Sequence, residues 1–432
     1  MIICILNVFL GYLYTGAAHV VTCYLLLPAA ICLFTVNCNR NRLFSHVDIK
    51  FSAMVPVLFL ISCLVNFNRV KAEENADYFA AAVSVALICC SYAYSIPKDK
   101  RSELFGLLAW ILSAGMTAVA AIGIYVGLSG NLTVFGGRDG VIVGALNHRL
   151  LLAVDPDIIG AASCIALSLI LFLLLKKRSG FRSIVLVVMA VLVYTVMTLT
   201  GCKIALYASM LPLLFFGILK MRQWISNSRA FVKAVAGIGF GIALCALAFV
   251  LFAPVNSILL KEDQNTFRNI YGDDYSNVAE GTIHDNENMD DYLELWTNAV
   301  TTFIRDPRSW PTGATPAGAL SKFIGQGRME SRFHNGYLGI LLSFGILGFL
   351  GFLVYLVILA VRSIRLLFTK KTVPVQARFL PVLLLPILTI NMMEEMFFTR
   401  NILLESNVFF TLTAGFIFMI SGELTQNETI TF

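Results

Sequence analysis

His334 is one of five histidines in a 432-residue chain, and it stands directly before a long apolar run that opens Asn335-Gly336-Tyr337-Leu338. Imidazole titrates nearest neutral pH, so it is the side chain best suited to take a proton from a hydroxyl nucleophile. Cations stand at comparable places beside apolar runs. Lys203 lies about one turn inside such a run, Arg138 and Arg149 occupy the polar stretch 129–155, and Arg305 and Arg332 precede His334. Arginine offers paired donors matched to phosphate oxygens, and lysine offers a point charge for the same purpose. A base together with fixed positive charge fits transfer of a sugar from a diphosphate-bearing lipid to a hydroxyl. Plainer readings of the same residues stay open. A histidine at a helix start also serves structure, and a lysine near a helix end also snorkels to the interface. Arg328 and Arg332 also fit solvated loop charges, and Glu394, Glu395 and Arg400 fit an interfacial ion-pair cluster. The series Gly345, Gly348 and Gly351 fits close helix packing.

Neither a metal nor an organic cofactor is expected. The ten cysteines lie between Cys4 and Cys245, mostly inside apolar runs, with no CxxC or Cys/His spacing. Thiols in that setting behave as small buried hydrophobes.

The elements that must position these residues are membrane helices. The chain is 58% hydrophobic and 13% charged, with a mean hydropathy of +0.79, whereas soluble domains carry roughly 25% charged residues. A spanning helix needs about 17–25 mostly apolar residues. On that ruler the spans are 1–15, 17–36, 51–66, 77–95, 103–128, 156–175, 183–199, 201–219, 233–253, 336–361, 378–393 and 403–421. The seventh and eighth meet in a tight turn at Thr198-Leu199-Thr200-Gly201. This divides the chain into helices 1–9 (1–253), one large polar loop (254–335), and helices 10–12 with a short tail (336–432). The expected fold is an all-α integral membrane protein of about twelve transmembrane helices with one large extracytoplasmic loop.

Basic clusters orient the bundle. Arg40/Arg42/Lys50, Lys98/Lys100/Arg101, Lys176/Lys177/Arg178/Arg182, Lys220/Arg222/Arg229/Lys233 and Arg362/Arg365/Lys370/Lys371/Arg378 all fall on one side of the twelve-span count. The positive-inside rule makes that side cytoplasmic, with both termini inside. The net charge of +6 is therefore spent on topology, and no nucleic-acid partner is expected. The polar loop then faces outward. It is acidic between Glu262 and Glu294 and basic from Arg305 to Arg332, and its stretch Tyr292–Phe303 has the apolar spacing of an amphipathic helix lying along the membrane, ended by Asp306-Pro307. The spans are nearly free of ionisable residues at mid-depth. A flippase or other transporter, the alternative from another class, normally retains such groups to line its path, and these spans lack them.

The stretch Phe333-His334-Asn335-Gly336-Tyr337-Leu338-Gly339, with Gly345-Ile346-Leu347-Gly348 after it, resembles the signature of the O-antigen ligase and polymerase superfamily. Trp296–Phe303 followed by Pro307 and Gly313 is similar to that family's aromatic helix and Pro/Gly turn. Leu199-Thr200-Gly201-Cys202-Lys203 resembles its Thr-Gly-Ser-Arg step, and Asp155-Pro156-Asp157 its Pro-Asn helix start. Two positions depart: Lys203 keeps the charge of the family's arginine without the bidentate fork, and Asp157 stands for asparagine. The resemblance implies a GT-C-like, inverting, metal-independent glycosyltransferase of a bacterial plasma (inner) membrane, working at its extracytoplasmic face. Its partners would be an undecaprenyl-diphosphate-linked glycan donor, a glycan or lipid acceptor, the lipid bilayer and other polysaccharide-assembly proteins. Under it His334 activates the acceptor hydroxyl, while Lys203, Arg138 and Arg332, with Arg305 and Arg149 behind them, hold the diphosphate. Polymerisation of lipid-linked repeat units is the leading expectation, and ligation of finished glycan to a lipid or protein acceptor is the alternative.

Overall fold

The computed structural model describes residues 20–41, 50, 57, 61–62, 64–66, 72–130, 133–135, 141–146, 149–152, 156–176, 180–225, 230–259, 261, 289–323, 333–369, 373–394 and 404–425. Seven stretches among them are long and apolar enough to cross a membrane: Lys98–Ser129, Pro156–Leu174, Gly180–Leu199, Lys203–Trp224, Val232–Phe252, Gly336–Phe368 and Asn407–Leu424. They correspond to the fifth to tenth and the twelfth spans read from the sequence. Shorter apolar helices at Tyr24–Cys38 and Val375–Ile390 correspond to the second and eleventh, and a helix at Ala72–Ser95 covers the fourth. The first expected span lies outside the described residues, as does most of the third. Large side chains such as Tyr125, Val187, Phe249 and Val357 are exposed along these helices. Apolar surface of this kind belongs against lipid, where a helix satisfies its own backbone. The chain is a multi-pass helical membrane protein.

Its contacts divide it into two compact units. One comprises 1–98, 286–370 and 391–430, and the other 99–285, 371–390 and 431–432. In the first unit, α1 (Leu27–Asn41) packs on α2 (Ala72–Ser95). The second unit holds α3 (Arg101–Ser129), α4 (Pro156–Leu174), α5 (Gly180–Leu199), α6 (Lys203–Trp224) and α7 (Ala230–Leu259). α4 is the most deeply buried of these, with α3, α5 and α6 packed around it. Gly217, Gly237 and Gly241 let the backbones of α6 and α7 touch, since a Cβ on any of them would strike the facing main chain. α7 continues through Pro254 to Leu259, six residues past the expected end of the ninth span. The apolar Val255, Ile258 and Leu259 extend the run, and proline is tolerated in a membrane helix where neighbours satisfy the freed carbonyl.

The all-helical expectation holds for the body of the chain, with one addition in the second unit. The stretch 129–155 carries a three-stranded antiparallel sheet, β1 (Thr133–Phe135), β2 (Val141–Leu146) and β3 (Arg149–Leu152), in the order β1-β2-β3. Val134, Val141, Ile142 and Val143 supply the β-branched residues that favour strands. Each strand is too short to announce itself against the long apolar runs around it.

The first unit also holds α8 (Met289–Arg305), α9 (Pro316–Phe323), α10 (Gly336–Phe368) and α12 (Leu404–Thr425). α11 (Val375–Ile390) belongs to the second unit and packs on α4 and α6. α8 is the amphipathic helix expected at Tyr292–Phe303. It buries Leu295, Ala299 and Phe303, spaced three to four residues apart, against Phe333, Leu338 and Leu342.

α10 is broken. Gly345 has φ 68° and ψ −171°, so the helical ladder stops there and restarts. The segment 310–315 fills the break. The amides of Ala314 and Thr315 donate to the carbonyls of Leu342 and Ser343 at 2.9 and 3.0 Å, and those of Ile346 and Leu347 donate to Trp310 and Pro311 at 2.7 and 3.3 Å. Ser62 Oγ donates to the Ser343 carbonyl and Asn66 Nδ2 to the Gly313 carbonyl, each at 3.1 Å. Gly345 is therefore a break in the helix and not one of a set of packing glycines. Nine residues of helix place it about 14 Å from the start of α10, a depth where non-helical backbone must be buried in protein or line a wet cavity. Gly313, Ala314 and Thr315 are buried.

Candidate functional site

In the first unit the site is built around the entrance to α10. Asn335 is the N-cap: its side chain accepts from the Leu338 amide at 3.0 Å. Before it, Phe333 is buried in the α8–α10 cluster, and Trp296 Nε1 donates to its carbonyl at 2.8 Å. These two anchors on either side leave His334 in the left-handed region, at φ 49°, which histidine visits more readily than bulky or β-branched residues. The imidazole is turned inward and buried. Tyr292 of α8 meets it edge-on, 5.4 Å between ring centres, and its Nδ1 lies 3.4 Å from Glu394 Oε1. Glu394 reaches it because the turn after α11 is pressed onto the start of α10. The Gly336 amide donates to the Asn391 carbonyl at 2.9 Å, and a Cβ on Gly336 would collide with the Asn391 side chain.

The sequence offers Glu394 only as part of an ion-pair cluster with Glu395 and Arg400. Those two lie outside the described residues, and Glu394 faces His334. A signal was available in Asn391-Met392-Met393-Glu394-Glu395, two carboxylates after an apolar run. Nothing local says that the run ends beside His334, 60 residues away in the chain.

The cationic candidates fall in different places. Arg138 and Arg332 lie outside the described residues. Arg305 is exposed at the last residue of α8. It is thirteen residues along the helix from Tyr292, about 20 Å at 1.5 Å per residue, so the structure does not bring Arg305 to His334. Beside it Asp306 forms an ion pair with Lys322, and Lys322 Nζ also donates to Ser309 Oγ at 2.6 Å. The Lys322 ammonium and the Ser309 hydroxyl hold the Asp306 carboxyl below its ordinary range. A carboxyl held low in the fold adds stability above its unfolded value, and that stability fades as the pH falls through the lowered one. Asp306→Asn is thus expected to cost about 1 kcal/mol, since the pair is only partly buried. Thermal melts of the full chain should show the difference at neutral pH and none once the carboxyl is protonated in both states.

Arg149 and Lys203 belong to the second unit and meet at the turn between α5 and α6. Gly201 takes φ 67°, Cys202 is extended, and Lys203 is the first residue of α6, not a turn inside it, with an exposed side chain. Arg149 Nε donates to the Thr200 carbonyl at 2.7 Å, and its Nη2 lies 2.5 Å from Asp157 Oδ1 at the start of α4. α4 approaches this turn so closely that a Cβ on Gly160 would overlap the Cys202 side chain. Arg149 therefore braces β3, the turn and α4 together, and Asp157, which departs from the family pattern, is its ion-pair partner. A cavity of about 480 Å³ lined by Ser102, Glu103, Lys176, Arg182 and Gln376 lies at the other end of α5, about 30 Å from this turn.

The first unit thus bears a histidine at a helix entrance, and the second a turn that carries a cation. Residues 191–353 match the family model described as O-antigen ligase, which supports the O-antigen ligase and polymerase superfamily. The matched stretch runs from the middle of α5 into α10. It includes Lys203, Arg305, Arg332 and His334, and leaves out Arg138, Arg149 and Glu394. No curated protein matches the sequence. The family match supports an enzymatic role at a coarse level.

Proposed function

We propose that the protein polymerises undecaprenyl-diphosphate-linked oligosaccharide repeat units into a surface polysaccharide at the outer face of a bacterial plasma membrane, with both termini cytoplasmic. The observation that carries this reading is the conformation of His334. It is anchored on both sides, turned inward at the mouth of a membrane helix, and set against a carboxylate. His334 takes the proton of the acceptor hydroxyl as its oxygen attacks the anomeric carbon. The bond from that carbon to the diphosphate breaks, the lipid diphosphate leaves with the electron pair, and a single displacement inverts the configuration. Positive charge at Lys203, Arg138 and Arg332 steadies the charge that develops on the leaving group.

Glycan chain-length analysis after gene deletion tests the reading. Loss of long chains with single repeats still attached is the expected result. Accumulated lipid-linked polymer would instead indicate ligation of finished glycan. Lys203 tests the cationic part of the reading. Lys203→Arg should keep substantial polymer synthesis, and Lys203→Ala should lower it by roughly 10²-fold, the scale for removing one charge stabiliser. Equal activity of the two variants would make Lys203 a residue that only snorkels to the interface.

A further inference from the structure

We propose that Glu394 is a positioning residue for His334, holding a proton on Nδ1 so that Nε2 is the basic atom of the site. The inference rests on the general-base reading of His334 and adds to it which nitrogen works and what keeps it ready. Nδ1 and Glu394 Oε1 are 3.4 Å apart, and each side chain is 7% exposed. A carboxylate so buried is costly unless paired, and the imidazole is the partner set against it. Tyr292 also meets the ring, and its edge-on contact limits rotation of the imidazole about its own axis. Titratable groups facing His334 thus include Glu394 from the Asn391–Glu394 turn and Tyr292 from α8.

The chemical consequence is specific. An imidazole whose Nδ1–H points at a carboxylate presents a lone pair only at Nε2. When Nε2 takes the proton of the acceptor hydroxyl, the ring becomes a cation, and the carboxylate stabilises that cation where it forms. Glu394 itself neither takes nor gives a proton. The three-residue path from Asn391, clamped on the Gly336 amide, to Glu394 makes this support part of the helix entrance.

The test uses the full-length protein in lipid nanodiscs and compares wild type with Glu394→Gln and Glu394→Asp. The readout is the pH dependence of deuterium exchange at the imidazole C2 position of the His334 peptide, followed by mass spectrometry. It reports protonation of this one ring without any substrate. A carboxylate neighbour favours the charged ring, so the Glu394→Gln midpoint should fall by about one pH unit, and Glu394→Asp should hold it near the wild-type value. Polymer output in a deletion strain should drop at least about 10-fold for Glu394→Gln, with partial recovery for Glu394→Asp. An unchanged midpoint and unchanged output in Glu394→Gln, in a background where His334→Asn abolishes polymer, overturns the role of Glu394 alone. Full polymer from His334→Asn overturns the general-base reading itself, and the positioning role with it. Should Glu394→Gln fail to accumulate, Glu394→Asp decides: its longer reach to Nδ1 has to lower output while the charge keeps the midpoint, and wild-type output from it counts against the proposal.

Discussion

His334→Asn should leave the protein folded and in the membrane while lowering polymer synthesis by roughly 10²–10⁴-fold, the range over which a general base contributes. Asparagine is the informative replacement because of the backbone. His334 sits at φ 49°, and asparagine is among the residues that take the left-handed region most readily. The N-cap at Asn335, the burial of Phe333 and the Trp296 hydrogen bond to the Phe333 carbonyl do not involve the imidazole. The helix entrance should therefore keep its backbone, with some loss of stability from removing the imidazole beside the buried Glu394. Membrane abundance and thermal stability of the variant serve as the control, and chain-length analysis of the glycan is the measurement. A variant that accumulates normally and still makes long chains would show that no proton passes through this side chain.

Gly345→Ala and Gly313→Ala are expected to be the most damaging substitutions to the fold. Both positions lie at positive φ, 68° and 69°, where an L side chain is strained. Both also lack space. A Cβ on Gly345 would sit 2.5 Å from the Gly313 amide nitrogen, and a Cβ on Gly313 would run into the Ser343 main chain. The obstacles are backbone atoms held by four hydrogen bonds between 310–315 and 342–347, so they cannot swing aside like a long side chain. Strain and overpacking each cost about 1–3 kcal/mol, and here they act together, so a loss of at least about 3 kcal/mol is expected. The break would then open at a depth where lipid offers its carbonyls no partner. The predicted readouts are loss of membrane-inserted protein for both variants, against near-normal levels for Gly422→Ala, where a Cβ meets open space within 4 Å. Normal accumulation of Gly345→Ala would mean that the 310–315 segment does not seat in the helix.

The two predictions touch one piece of structure from opposite ends. His334 stands at the start of the first half of α10, and Gly345 ends that half. The Phe333, Leu338 and Leu342 side chains lock this short helix to α8, and the plug at 310–315 fixes its far end. The position of the imidazole is thus set by two loops and a nine-residue helix, not by a long rod.

The sequence by itself determined the class and the linear parts of the protein. Apolar runs longer than the bilayer core can only be helices there, because unsatisfied backbone is too costly in lipid, and the described spans follow those runs. The spacing of Leu295, Ala299 and Phe303 marked α8, and Gly201 marked the turn before α6, because periodicity and glycine are local signals. His334 stood out because its residue type and its place before a helix are both read within a few positions. What depends on contacts between distant segments was decided only by tertiary structure. Glu394 becomes the neighbour of His334 because Asn391 is clamped to the Gly336 amide. Arg149 read as a secondary candidate for the diphosphate, and its engagement with Asp157 and the Thr200 carbonyl shows only in the fold. Gly345 read as a packing residue, since nothing in its own run shows that 310–315 completes its hydrogen bonds from thirty residues away. Local sequence specifies what a segment can bury and how it turns; which polar groups then meet is settled by the folded chain, because each must find a partner once water is gone.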